Sequence, residues 1–394
     1  MRAVLLGVVC LSCIPGLGSG PSPAPTADIK VDQVGYLPTS PKVAMVAART
    51  AAGAFVVRRV SEGRIVFRGN LSAPAADPSS GDTVQTADFS ALKTDGRFCL
   101  EVAGVGVSWP FAIAPDAYAR TFYLAMRSFY GQRCGTAVDL GPEFPGYTHD
   151  ACHKENAYHA TSGKTGVKAA GNKGWHDAGD YGRYVVNSGL STGTLLWTYE
   201  MFADRVKAVR LNIPESDNTL PDILDEIRWN LDWMLSMQDE DGGVFHKQTS
   251  ERFCDFVMPE KDGLVSVVIG TGGEPYKSSC ATADVAAVMA IAARIYLLGR
   301  NTFSLSWVTQ VESNPFRHPH HRPSGADRNA EPWPGLLAGG PNGRKQDPAM
   351  KGLPDLPPAK MYIDDQESYA SNEVAINWNA PLVFLLAGQL PAKK

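Results

Sequence analysis

The chain has 394 residues and a formal net charge of −4. That length is enough for two domains with real cores. The slightly acidic balance, with no sizeable basic cluster, excludes a polyanionic partner such as nucleic acid.

Residues 1–18 read as a secretory signal: Arg2, an apolar run from Ala3 to Ile14, then the small residues Gly16 and Gly18. The run is too short to span a bilayer comfortably. The expectation is therefore a secreted chain, extracellular or periplasmic, with no membrane contact once the signal is removed. Residues 19–27, with Pro21, Pro23 and Pro25, read as a stiff linker. Cys10 and Cys13 belong to the signal. The remaining cysteines, Cys99, Cys134, Cys152, Cys254 and Cys280, are odd in number, which argues against complete disulfide pairing.

Residues 28–114 have a β texture. Short apolar or alternating runs recur at 29–34, 42–48, 55–60, 65–68, 84–89, 96–102 and 107–113, separated by Gly, Pro, Asp and Ser. Such spacing predicts an immunoglobulin-like β-sandwich. Cys99 reads as a small buried hydrophobe. The module carries no nucleophile or ligand cluster and reads as a structural partner.

From residue 115 to residue 394 the texture turns helical. Helices are expected over 117–130, 185–206, 220–237 and 281–298. The third opens with Pro221 followed by Asp222, Asp225 and Glu226, suited to the positive end of a helix dipole. Periodicity alone supports a mostly α domain.

Three constellations carry chemistry. The run Gly174-Trp175-His176-Asp177-Ala178-Gly179-Asp180-Tyr181-Gly182 places two carboxylates in a glycine-rich turn between aromatics suited to stacking on sugar rings. A third carboxylate, Glu373, lies in Tyr369-Ala-Ser-Asn-Glu373-Val-Ala-Ile-Asn377-Trp378-Asn379. Cleaving a glycosidic bond needs one carboxyl as acid and another as base or nucleophile. Cys134, Cys152, His153 and His176 supply two thiolates and two imidazoles, the donor set of a structural zinc site. A Cys134–Cys152 disulfide is the alternative in a secreted chain. Glu215, Asp217, Asn218 and Asp222 cluster oxygen donors as a calcium site would, although helix capping explains them equally well.

The Asp177–Asp180 run, Pro319-His320-His321-Arg322 and the Glu373 segment occur in the order seen in glycoside hydrolase family 9. Tyr362, Asp364, Tyr369, Glu373, Ala375, Asn379 and Ala380 also fall at that family's spacing. The chain therefore resembles family 9 endoglucanases that carry an N-terminal immunoglobulin-like module. The resemblance implies an (α/α)6 toroid and inverting hydrolysis of β-1,4-glucans, cellulose above all, by a monomer. It assigns Asp180 as base, Asp177 as its partner in holding the water, and Glu373 as acid. His320 becomes an active-site residue, and Asp364 an acid that positions the loop or the sugar. Trp175, Tyr181, Arg322 and Trp378 become sugar contacts, and zinc falls to Cys134, Cys152, His153 and His176.

Two departures stand out. The family has a glycine where this chain has Glu312. A complete toroid needs roughly 350 residues, more than follow residue 114. At Ala293-Arg-Ile-Tyr-Leu-Leu-Gly-Arg-Asn301, segments that several helices separate in relatives run together, as in an internal deletion. The toroid is expected to be incomplete. A catalytically weak or inactive glucan-binding relic, or an exo-glucosaminidase of the same family, are the alternative outcomes.

Overall fold

In a computed structural model of the chain, residues 24–383 are described apart from 48–52, 79, 169–171, 298–302, 304, 312–313, 357–359, 376–378 and 380–381. The signal stretch, most of the linker, Glu312, Trp378 and the end of the expected deletion junction lie outside the described residues. The chain divides into two compact units between Phe122 and Tyr123.

The first unit is a β-sandwich. Its strands are β1 (Ile29–Lys30), β2 (Val43–Val46), β3 (Ala54–Arg59), β4 (Ile65–Asn70), β5 (Ala75–Asp77), β6 (Asp82–Asp88), β7 (Gly96–Val102), β8 (Gly106–Val107) and β9 (Phe111–Ile113). One sheet has the order β1-β2-β6-β5; the other runs β4-β3-β7-β8, with β9 also paired to β7. Side chains alternate between the faces of a strand. On β7, Phe98, Leu100 and Val102 enter the core, while Cys99 between them is only half-buried. The expectation of a buried Cys99 is therefore corrected by its register. The single strand expected over 107–113 divides into β8 and β9 around Ser108-Trp109-Pro110, where proline has no amide to give a ladder. β5, between Pro74 and Pro78, is an edge strand that lies outside the expected runs.

Among the described residues there are four long helices: α1 (Ala119–Gly131), whose first turn precedes the division, and, in the second unit, α2 (Val185–Val206), α3 (Asp222–Ser236) and α4 (Ser279–Leu297). Two short ones follow, α5 (Arg322–Ala326) and α6 (Pro348–Lys351). That number fits an incomplete (α/α)6 toroid. α2 packs on both α3 and α4. At Gly189 a Cβ would lie 2.7 Å from Asp284 Cβ, so α2 and α4 approach closely only because this position is glycine. The outer face of α2 leaves Leu190, Trp197 and Met201 exposed at helical spacing. No helix among the described residues is long and apolar enough to cross a membrane.

A mostly α reading misses a five-stranded sheet in this unit. β10 (Val138–Asp139) and β11 (Thr148–His149) form a small ladder of their own. β12 (Ala157–His159), β13 (Val167–Lys168), β14 (Arg183–Tyr184), β15 (Lys247–Ser250) and β16 (Ser266–Ile269) assemble in the order β13-β12-β16-β15-β14. Strands of two to four residues are too short to display a period of two. β14 follows Gly182 directly and leads into α2, so this sheet anchors the acidic turn.

At the start of α3, burial pushes the Asp225 carboxyl up to about 6, against the hydrogen bond from Asn218 that favours its charge. Between the ordinary value of 3.8 and about 6, the folded chain holds this proton and the unfolded chain does not. Stability from this group is therefore present at low pH and lost as pH rises through that window. Asp225→Asn is expected to flatten the fall between about pH 4 and 6 and to be at least as stable as wild type above pH 7. Thermal melts across that range check it.

Candidate active site and metal centre

The turn 177–182 closes on itself. The Asp177 amide donates to Gly182 O (2.9 Å), and Asn187 Nδ2 on the first turn of α2 donates to Asp177 Oδ1 (2.9 Å). Asp180 Oδ2 accepts from the Gly182 amide and from Tyr184 Oη, both at 3.1 Å. Burial, and then the charge of Asp180, push the Tyr184 phenol above its ordinary range, so it remains a donor. A Cβ at Gly182 would stand 2.6 Å from Asp180 Oδ2; only glycine lets the carboxylate fold back onto its own turn. Asp177 is exposed and Asp180 partly so. Asp180 lines a cavity of about 590 Å³ together with Tyr181, Phe253, Phe256 and Met258, within the size range of ligand sites.

Immediately beside this turn lies the cluster Cys134, Cys152, His153 and His176, whose four ligand atoms fall within 4.8 Å of one another. Residues 132–134 and 174–176 are stitched together: His176 N–H donates to Gln132 O (2.8 Å) and Cys134 N–H to Gly174 O (2.9 Å). Cys152 Sγ lies 3.7 Å from His176 Nε2. Both cysteines are free and buried, so the disulfide alternative is not what the structure contains. The hydrogen bond from Cys152 lowers the Cys134 thiol to about 7, against the effect of burial. Burial pulls the His176 imidazole below its ordinary value, keeping it neutral, the form that binds metals. His153 Nδ1 is buried with no hydrogen-bond partner. A buried lone pair without a partner costs free energy. Two thiols, two imidazoles and that orphaned atom together fit a tetrahedral metal ion.

Sequence reasoning missed the brace beneath this site. Arg133 and Glu226, with side chains 1% and 0% exposed, form an ion pair at 3.1 Å. Glu215 adds a second contact to Arg133 at 3.0 Å. The guanidinium lies 4.4 Å from the Trp229 ring. Trp175 Nε1 donates to Glu226 Oε1 (2.9 Å), and its ring packs 4.7 Å from Phe129. Trp175 is thus buried, and its expected role as a sugar-stacking face is corrected. Trp175 faces the core and Asp177, two residues on, is exposed, because the chain leaves its pairing with Arg133 after Trp175 and closes into the turn that Asp177 opens. Tyr181 rests on the rings of His176 and His153 at 4.9 and 5.6 Å while it lines the cavity.

The second group is built from 317–374. His320 N–H donates to Asn372 O (2.8 Å), and His320 pairs with Glu373 in a parallel bridge. His320 Nδ1 lies 2.6 Å from Gln366 O. A carbonyl only accepts, so Nδ1 carries the proton and Nε2 is left as the ring's second nitrogen. Glu373 is exposed, with its carbonyl accepting from Gly339 N–H (2.9 Å). Asp364 accepts from the amides of Arg317 and His318, both at 2.8 Å, and from Asn372 Nδ2 at 3.0 Å. Those bonds make it an organiser of the His320 loop and not a proton donor. Arg322 is exposed at the start of α5. Asp177 and Asp180 thus share one turn, and His320 and Glu373 share one bridge. Among the described residues no hydrogen bond or ion pair joins Glu373 to either aspartate.

The expected calcium donors are each bonded to protein partners. Glu215 is held by Arg133 and Asp217 by Arg210. Asn218 caps Leu220 and donates to Asp225, and Asp222 accepts from Leu211 N–H (2.6 Å) and Ser216. They act as caps and loop ties.

The model of glycosyl hydrolase family 9 matches residues 118–296 and 295–386, and that of the cellulase N-terminal Ig-like domain matches residues 24–107. Endoglucanase D of Acetivibrio thermocellus is 38% identical over 270 residues, 68% of this chain and 42% of that protein. The chain thus spans about two fifths of that relative's length. A xyloglucan-specific endo-β-1,4-glucanase of Bacteroides ovatus is 27% identical over 580 residues, covering 97% of this chain and 96% of that protein. A solved family 9 structure from Bacteroides ovatus superposes with a TM-score of 0.63 at 26% identity, covering 92% of this chain and 98% of that one. The two family matches meet at Ile295–Tyr296. An alignment of 580 residues exceeds the whole 394-residue chain, so an internal stretch of that relative has no counterpart here.

Proposed function

Because the chain belongs to glycosyl hydrolase family 9, we propose that it is a secreted, inverting glycosidase acting on β-1,4-linked glucans of the cellulose class. The observation that supports this best is the acidic turn. Asp177 and Asp180 are each held through one oxygen, by Asn187 and by Gly182 with Tyr184, and Asp180 lines a ligand-sized cavity. In this reading Asp180 takes the proton of the attacking water, Asp177 holds that water, and Glu373 protonates the departing oxygen. An inverting pair stands about 6.5–9.5 Å apart to admit the water. His320, steadied by Gln366, takes a hydrogen bond from a sugar hydroxyl through Nε2. Secretion rests on the apolar stretch 3–14.

Turnover is expected to be slow. Loss of an internal stretch removes subsites whose binding energy would position and distort the sugar. Proton NMR of cello-oligosaccharide digestion tests the proposal: the α-anomer should appear first. The β-anomer first would exclude inversion. Binding of soluble β-glucan without any turnover would favour the relic reading, to which the exposed apolar face of α2 points.

Zinc is the metal that suits the cluster, held by Cys134, Cys152, His153 and His176. With four protein ligands it leaves no open position for a catalytic water, and its role is to fix the loops around Asp177. Purified protein is expected to carry about one zinc per chain, and Cys152→Ser to lower both metal content and melting temperature. Elemental analysis and thermal melts check this. Metal-free protein with an oxidised Cys134–Cys152 pair would overturn it.

A further inference from the structure

A carboxylate that no sequence pattern marks stands behind the Cys/His cluster. His153 Nε2 lies 3.2 Å from Asp262 Oδ2, although the two are 109 residues apart. The Asp262 side chain is 4% exposed, and its Oδ1 is fixed by the Leu264 amide at 3.0 Å. A carboxylate accepts and does not donate, so this contact holds a proton on Nε2 and makes Nδ1 the nitrogen available to a metal. Nδ1 is the buried atom that has no partner within the protein. His153 also adopts a φ of +45°, a strained conformation for a residue other than glycine, which persists only where the surroundings impose it. Asp262 lines the same 590 Å³ cavity as Asp180, and that cavity is walled by residues of 253–262.

We propose that Asp262 is the outer carboxylate of a carboxylate–imidazole–metal triad: it holds His153 with Nδ1 toward the ion, and through this contact the ion anchors the 253–262 wall of the Asp180 cavity. This rests on the zinc reading of the cluster. Asp262 is a positioning residue that acts on the ion through His153. Outer carboxylates of this kind orient the imidazole and raise its basicity, and their loss weakens metal binding 10–100-fold.

The test measures zinc affinity of the full chain by competition with a chromophoric chelator, for wild type, Asp262→Asn and Asp262→Ala. The expected loss for Asp262→Ala is about 10–100-fold. Asp262→Asn should fall between, because the amide oxygen still accepts from Nε2 but lacks the charge. Cobalt(II)-loaded variants should show a shifted visible absorption, which a purely structural defect elsewhere would not produce. Proteolysis within 253–262 should be slowed by zinc in wild type and not in Asp262→Ala. Unchanged affinity in both variants, with a wild type that loads normally, overturns the triad alone. A wild type that takes up no zinc overturns both the triad and the zinc reading. If Asp262→Ala fails to fold, Asp262→Asn decides: an unchanged affinity and cobalt spectrum overturn the proposal.

Discussion

Arg133→Met is expected to destabilise the second unit by about 3–5 kcal/mol, because it strands the buried Glu226 carboxylate without its cation. Glu226 is fully buried, and its charge is compensated by Arg133 at 3.1 Å and by the Trp175 indole at 2.9 Å. Burial already pushes this carboxyl above its ordinary range despite the guanidinium. Removing Arg133 leaves burial unopposed by any cation. The expected response is protonation of Glu226 in the folded state, and hence a stability that falls more steeply with rising pH than in wild type. Urea unfolding at pH 5 and pH 8 measures both effects. Arg133→Met with Glu226→Leu should recover much of the loss, since replacing a whole buried pair by apolar groups is far less costly than halving it. A single variant as stable as wild type at pH 8 would show that the brace contributes little. The consequence reaches the site, because Arg133 precedes Cys134 and bridges Trp175 in the ladder that carries His176 and Asp177.

The parts of this molecule that were legible in the sequence are those encoded over short distances. β7 begins and ends where its alternation does, and α2 spans the range its periodicity predicts. The turn 177–182 was visible because its glycines and carboxylates are neighbours. What stayed hidden depends on partners brought together only by folding. Arg133 meets Glu226 across 93 residues and His153 meets Asp262 across 109; nothing local to any of them announces the pairing. Asn187 fixes Asp177 from ten residues away. Trp175 was misread for the opposite reason. Closeness to an acid in sequence suggested a shared face, whereas the chain leaves its ladder with Arg133 and turns between Trp175 and Asp177. The expected calcium donors carry a double meaning of the same kind: a cluster of oxygen donors in sequence is also what a capped helix start requires.

Glu373→Gln is expected to reduce hydrolysis of unactivated β-glucan by about 10²–10⁴-fold, the usual worth of a positioned proton donor. An aryl glycoside with a very acidic leaving group should lose far less, because its departing oxygen needs little protonation. Asp180→Asn should behave differently, lowering both substrates alike, since either bond still requires an activated water. That contrast separates the two roles even if the wild-type rate is low, because it compares ratios within one chain. The two acids also occupy different frameworks. Asp180 sits in a turn tied to β14 and α2, whereas Glu373 is held through the His320 bridge and the Gly339 amide. Neither variant removes a contact on which the other group depends, so loss of Glu373 should leave glucan binding and zinc content unchanged. Equal loss on both substrates for Glu373→Gln would assign its carboxylate to holding the sugar and return the search for the acid to the 317–374 segment.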